Sequence, residues 1–191
     1  MTEQVVGLGE YDFNVAVYVA KAPPMPYFEN LQSIEPVINE QINTINQHCG
    51  NGWRKVFNVY AKVLFALPSE HYSFAKQADS WQAYRDKFLL QNNSKTALLF
   101  SAPIINGTNK NQLHIIAGRT HAKNLLQQGK LNAQFNWLDD EFAIDTTNHI
   151  IVCPYFDYRQ LSNIKIARLS ALVAQLKNTK TDRKELLWPE F

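Results

Sequence analysis

The sequence predicts an α/β fold, a three-layer α/β/α sandwich around a mainly parallel central sheet, and three observations carry that expectation. Residues 96–101 (T-A-L-L-F-S), 113–117 (L-H-I-I-A) and 149–152 (H-I-I-V) are short, largely apolar runs, the pattern of strands covered on both faces. From Trp53 onward, Val56, Phe57, Tyr60, Val63, Leu64 and Leu67 recur on one helical face until Pro68 stops the pattern. Strands separated by helices of this length need crossovers, which are right-handed and set parallel strands side by side.

The elements follow in order. Residues 13–20 read as a Val-rich strand, broken by Ala22-Pro23-Pro24-Met25-Pro26, where three prolines remove donors and fix φ. Ser33 reads as the N-cap of a first helix, with Val37, Ile38, Ile42 and Ile45 on its buried face. Asn51-Gly52 punctuates the chain before the helix of residues 53–67, and a third helix carries Phe74, Ala78, Trp81, Tyr84 and Phe88 on one side. Residues 106–111 form a polar loop between two strands, and Gly118-Arg119-Thr120 turns the chain into a short helix ending at Gly129. Residues 142–144 and 149–152 flank Asp145-Thr146-Thr147-Asn148 as a small hairpin leading into the last strand. The last helix begins near Gln160; Ile164, Ala167, Leu172 and Leu176 beside Ile166, Leu169 and Val173 make an apolar stripe too wide for a helix exposed along one side. Residues 178–191 read as a tail, whose closing L-L-W-P-E-F must dock on this domain, a second copy or a partner.

A chain of 191 residues, 46% hydrophobic and 12% aromatic, fits one globular domain with a full core, residues 1–191 together. Its apolar runs fall far short of the roughly 20 residues of a membrane span, and Met1-Thr2-Glu3-Gln4 does not open a secretory signal. Cys49 and Cys153 lack C-x-x-C or His-rich spacing, which points to a reducing, cytoplasmic setting without a zinc site. No cofactor or metal is expected. The formal charge of +2 does not mark a nucleic-acid binder, so that role needs a local basic patch.

The residues that carry chemistry gather after the last strand. Ile150-Ile151-Val152-Cys153-Pro154 empties into Tyr155, Phe156, Asp157, Tyr158, Arg159 and Asn163, side chains that a mere turn does not need. Asp157 is a candidate general base; it equally suits a loop-holding pair with Arg159. Cys49-Gly50-Asn51-Gly52-Trp53-Arg54-Lys55 sets a flexible turn and two cations before a helix, which suits either an anion site or a plain helix start. Gly118-Arg119-Thr120-His121 repeats the arrangement, with Thr120 as cap, Gly118 open to a ligand and Arg119 able to pair with a phosphate or carboxylate, or simply as a structural turn. His121 is a candidate proton carrier, whereas His114, inside an apolar strand, reads as a core histidine. Asp139-Asp140-Glu141 suits a divalent cation or a solvated face. No Ser-His-Asp order, nucleophile elbow or G-x-G-x-x-G is present.

Three stretches resemble the uracil-DNA glycosylase superfamily in layout. I-I-A-G-R-T-H-A-K-N-L-L from Ile115 looks like the strand, glycine and short helix found late in those enzymes. Tyr155-Phe156-Asp157-Tyr158-Arg159-Gln160-Leu161-Ser162-Asn163 falls where they carry a His-Pro-Ser type loop, and Ala20-Lys21-Ala22-Pro23 where they carry a Gly-(acid)-Ala-Pro type loop. The resemblance implies a glycosylase-like sheet with a catalytic loop after its first strand and another after its last. It departs from the family at the decisive positions: Lys21 replaces the acid or amide that positions water, and Phe156 replaces the His or Asn that steadies the leaving base, so ordinary uracil excision is not expected. G-N-G-W-R-K-V-F-N-V-Y-A-K and C-P-Y-F-D-Y-R-Q-L-S-N also resemble a small family of uncharacterised bacterial proteins.

Together these readings predict a cleft framed by Lys21, Arg54, Arg119, Tyr155, Asp157, Tyr158, Arg159 and Asn163, with Trp53, Gly118 and Thr120 as further ligand contacts and Asp157 and His121 as catalytic candidates. Four cations facing one acid suit a nucleotide or another anionic small molecule, with nucleic acid a further candidate partner. A hydrolase using Asp157 as base and an interaction module that oligomerises through its tail are the alternatives.

Overall fold

The computed structural model describes residues 4–105 and 111–185, with side chains as far as residue 178. All four expected strands form: β2 (Val15–Tyr18), β4 (Thr96–Leu99), β5 (Leu113–Ala117) and β8 (Ile150–Cys153). They lie side by side and parallel in the order β4-β2-β5-β8, with Val17 registered between Leu98 and Ile115, and Ile115 beside Ile151. Alternate residues face opposite sides, as the strand pleat requires. Val15, Val17, Leu98, Ile115 and Ile151 join one apolar cluster, and Ala16, Tyr18, Ala97, Leu99, Ile116 and Val152 join another. Burial on both faces is why their sequences are continuous apolar runs.

The sheet as a whole is mixed, with eight strands in the order β3-β1-β4-β2-β5-β8-β7-β6, so the expectation of a mainly parallel sheet holds only for its centre. β1 (Gly7–Gly9) runs antiparallel to β4 and parallel to β3 (Ile34–Glu35), while β7 (Ala143–Asp145) runs antiparallel to both β8 and β6 (Asn136–Trp137). β7 is the expected hairpin partner, its turn held by Asp145, whose carboxylate accepts from Thr147 N–H and Asn148 N–H. β1 is Gly-Leu-Gly and has too little side chain to advertise itself. Its glycines are a contact requirement, since a Cβ on Gly9 would lie 2.2 Å from the Thr96 carbonyl oxygen and one on Gly7 would lie 2.3 Å from that of Leu98.

The helices depart from expectation mainly at their starts. A four-residue helix, α1 (Pro26–Glu29), begins on the last of the three prolines, where the missing N–H costs nothing. No helix starts at Ser33. Pro36 biases Glu35 toward extended backbone, Ile34–Glu35 pairs with β1, and α2 (Gln41–Cys49) begins only after Glu40, leaving Ile38 69% exposed while Val37, Ile42 and Ile45 are buried. α3 (Asn51–Ala66) is the expected long helix, and buries Val56, Phe57, Tyr60, Val63 and Leu64 against the sheet. The third expected helix divides into a single 3-10 turn at Phe74–Lys76 and α4 (Trp81–Lys87), which Ser80 caps by accepting from Ala83 N–H.

α5 (Arg119–Gln127) packs Ala122 and Leu125 on the second cluster. α6 (Asn163–Glu185) begins three residues later than expected, because Gln160 N–H and Leu161 N–H both turn back to the Asp157 carbonyl. Its stripe is narrower than expected: Ile166, Leu169, Leu172, Val173 and Leu176 are buried, but Ala167 is exposed and Ile164 is 83% exposed. α6 also continues through the first half of the expected tail. The rest of that tail, residues 186–191, and most of the expected 106–111 loop lie outside the described residues. Among the described residues no helix is long and apolar enough to cross a membrane.

Candidate functional site

The chain leaves β2 for β4 on one side of it and then returns to β5 on the other, so the carboxyl ends of β2 and β5 splay around a topological switch point. A cleft of about 400 Å³ opens there, floored by Ala20 beyond β2, Ala117 at the end of β5 and Pro154 beyond β8. Three loops the sequence singled out therefore meet in one place.

The α5 start forms one wall. Gly118 sits at φ 106°, with open space where a Cβ would be, and its N–H is tied to the Cys153 carbonyl at 2.8 Å, which locks the end of β5 to the end of β8. Thr120 lies inside the helix and does not cap it; no side chain does, so the first-turn N–H groups are left without an intrahelical partner beside the cleft. Arg119, Thr120, His121 and Asn124 all line this wall. Burial pushes the His121 imidazole below its ordinary range, which keeps it neutral at neutral pH, and its Nε2 is buried with no hydrogen-bond partner.

The loop after β8 divides between cleft and core. Half-buried Tyr155 and exposed Gln160 line the cleft. Phe156 is fully buried and edge-on to Tyr60 at 5.9 Å, so it packs the core and cannot stack on a ligand. Asp157 pairs with Lys55 of α3 at 2.8 Å and accepts from Arg159 N–H at 2.9 Å. Burial works to raise its pKa, yet the Lys55 hydrogen bond, the Arg159 N–H and the two positive charges outweigh it and hold the carboxyl below its ordinary range. The expected Asp157–Arg159 pairing is thus a backbone contact, with Lys55 as the true ion partner. Lys55 also lies 4.9 Å over the exposed Tyr158 ring, and Arg159 5.9 Å over it, which makes this half of the loop a clamp onto α3.

Lys21, Arg54, Tyr158, Arg159 and Asn163 are exposed but outside the cleft lining, and Trp53 is core, packed on Phe57 and Phe100. The expected four cations facing one acid are replaced by Arg119 facing Asp140 and Glu141. The acidic triplet is an exposed face whose charges are paired: Asp140 pairs with Arg119 at 2.8 Å, Glu141 with Lys165 at 2.6 Å, and Asp139 with Arg168. Hydrogen bonds from Glu141 N–H and Phe142 N–H, with Arg168, hold Asp139 down to about 2. Among the described residues no group of three or more His, Cys, Asp or Glu could hold a metal ion. Asn124 and Gln160 were missed; Asn124, one helical turn beyond Thr120, was within reach of the α5 periodicity.

An α/β domain with a cleft at the switch point of its parallel strands is the class these features define. Residues 6–174 match the model of a family described as a family of unknown function (DUF6942), and the chain belongs to that family. The match bears out the expected membership of an uncharacterised family. No curated protein and no solved structure matches the chain.

Proposed function

We propose that this protein binds a nucleotide or another small anionic molecule in the switch-point cleft, without ordinary uracil glycosylase chemistry. One observation carries the reading: Tyr155, the uncapped start of α5 and Arg119 converge on a single cleft at the carboxyl ends of β2, β5 and β8. Tyr155 offers a ring face for a planar group, the α5 start and Arg119 offer donors for an anion, and Gly118 lets a ligand approach the backbone. The glycosylase-like layout draws support from Ala20 and Tyr155, which bring the first and last loops of that layout to the same cleft, and the apolar clusters on opposite faces support a three-layer description. Phe156 in the core and Lys21 outside the lining argue against base excision. Hydrolysis with Asp157 as base is disfavoured by its engagement with Lys55.

The test is calorimetry with adenosine 5′-monophosphate at low and raised salt, beside a uracil-release assay on a uracil-containing oligonucleotide. Binding that weakens with salt and drops at least tenfold in Tyr155→Ala, with no uracil released, is the expected result. No binding at low salt, or binding indifferent to Tyr155→Ala, overturns the reading.

A further inference from the structure

Beside the cleft, two cations of α5 share one aromatic ring. Arg119 and Lys123, one helical turn apart, lie 5.4 and 5.6 Å from the centre of the Trp137 indole. Trp137 belongs to β6, so the ring that positions these side chains is anchored in the sheet. Among the described residues Arg119 uses one terminal nitrogen, donating from Nη1 to the Asp140 carboxylate at 2.8 Å and the Asp140 carbonyl at 3.0 Å. Lys123 has no acidic partner among the described residues.

Two cations therefore lie against one ring, and the one carboxylate paired with them, Asp140 on Arg119, is weakly held. The Asp140 side chain is 93% exposed, and an ion pair so exposed shifts an equilibrium by about fivefold at most. The indole contact of the guanidinium, at 5.4 Å, does not run through Asp140. We propose that Arg119 and Lys123 form a phosphoryl clamp at the rim of the cleft, with Asp140 occupying it in the empty protein and giving way to the incoming anion. The ligand class is a phosphate monoester or free phosphate, whose tetrahedral oxygens can take the free edge of the guanidinium and the ammonium together. This rests on the reading of the cleft as an anion-binding site and names the residues that receive the anionic group.

The experiment is titration with inorganic phosphate, adenosine 5′-monophosphate and adenosine, followed by calorimetry and by indole fluorescence, with Trp137→Phe identifying the signal of that ring. Asp140→Asn removes the competitor and is expected to tighten phosphate about fivefold. Arg119→Gln and Lys123→Gln are each expected to weaken it about tenfold or more, and Arg119→Lys to restore only part of the loss. Phosphate affinity unchanged in Asp140→Asn, or unchanged in both Arg119→Gln and Lys123→Gln, overturns the clamp. So does absence of phosphate binding to both the natural protein and Asp140→Asn.

The nucleotide arm separates this proposal from the reading beneath it. Adenosine 5′-monophosphate sensitive to Tyr155→Ala but indifferent to Arg119→Gln leaves the cleft standing without the clamp. Phosphate sensitive to the clamp variants, with nucleotide indifferent to Tyr155→Ala, leaves the clamp standing without a nucleotide cleft.

Discussion

His114 shows how one buried polar residue sets the acid limit of this fold. Its Nδ1 lies 2.7 Å from the Tyr18 hydroxyl, and burial raises the Tyr18 pKa, so the phenol stays protonated and the two groups share a hydrogen bond. Burial first, and then the neighbouring His149, push His114 down to about 4. Above its ordinary pKa the ring is neutral in folded and unfolded chains alike; between that value and about 4 only the unfolded chain takes up the proton, so stability falls as pH falls. The loss amounts to something on the order of 3 kcal/mol once pH is below both values. The melting temperature should drop by roughly 5–10 °C between pH 7 and pH 4 from this residue alone, and the Tyr18→Phe/His114→Leu double variant should flatten that slope. An equal slope in the double variant would place the acid sensitivity elsewhere. The sequence already marked His114 as a core residue because it sits inside an apolar strand; its partner, ninety-six positions away, follows only from the β2–β5 register.

At the scale of elements, α3 shows how a helix is fastened to this sheet. The buried Tyr60 hydroxyl donates to the Ala97 carbonyl at 2.8 Å, with the Val15 carbonyl at 3.3 Å, so one side chain contacts β4 and β2 together. Tyr60→Phe should cost about 1–3 kcal/mol while leaving the packing in place, read as a lower denaturant midpoint at unchanged slope. A midpoint equal to that of the natural protein would mean those carbonyls gain nothing from the hydroxyl. α3 was legible in the sequence because its apolar face repeats over four turns, and the central strands because burial on both faces leaves no polar alternation. β1, β3 and β6 were not, since each is two or three residues long and its pairing is decided by partners far along the chain. The candidate site was legible to a similar depth. The sequence located the loops after β2, β5 and β8, but no local pattern could tell that Tyr155 would line the cleft while Phe156 entered the core and Asp157 turned to Lys55. That division depends on where α3 lies against the loop.

Across the whole molecule, the β6–β7 turn is tied to two helices, one packed on each apolar cluster, through Asp140–Arg119 on α5 and through Glu141–Lys165 and Asp139–Arg168 on α6. These pairs are at least partly exposed and so are screened by salt, which makes the turn that borders the cleft a region whose hold loosens as ionic strength rises. The opposite end of the sheet rests on residues 7–9. β1 occupies the hydrogen-bonding side of β4 that β2 does not use, and its two glycines let it approach closely. Without β1, the apolar Thr-Ala-Leu-Leu of β4 would offer a row of unpaired backbone groups to any other chain, the template for edge-to-edge aggregation. The native sheet instead ends in two-residue strands, too short to recruit a neighbour. A chain shortened by its first ten residues should therefore scatter light in a concentration-dependent way while the full chain stays clear, and a truncated chain that remained monodisperse would show β4 to be guarded by something else. The Gly-Leu-Gly stretch that carries no visible chemistry thus covers the edge that β4 would otherwise present to another chain.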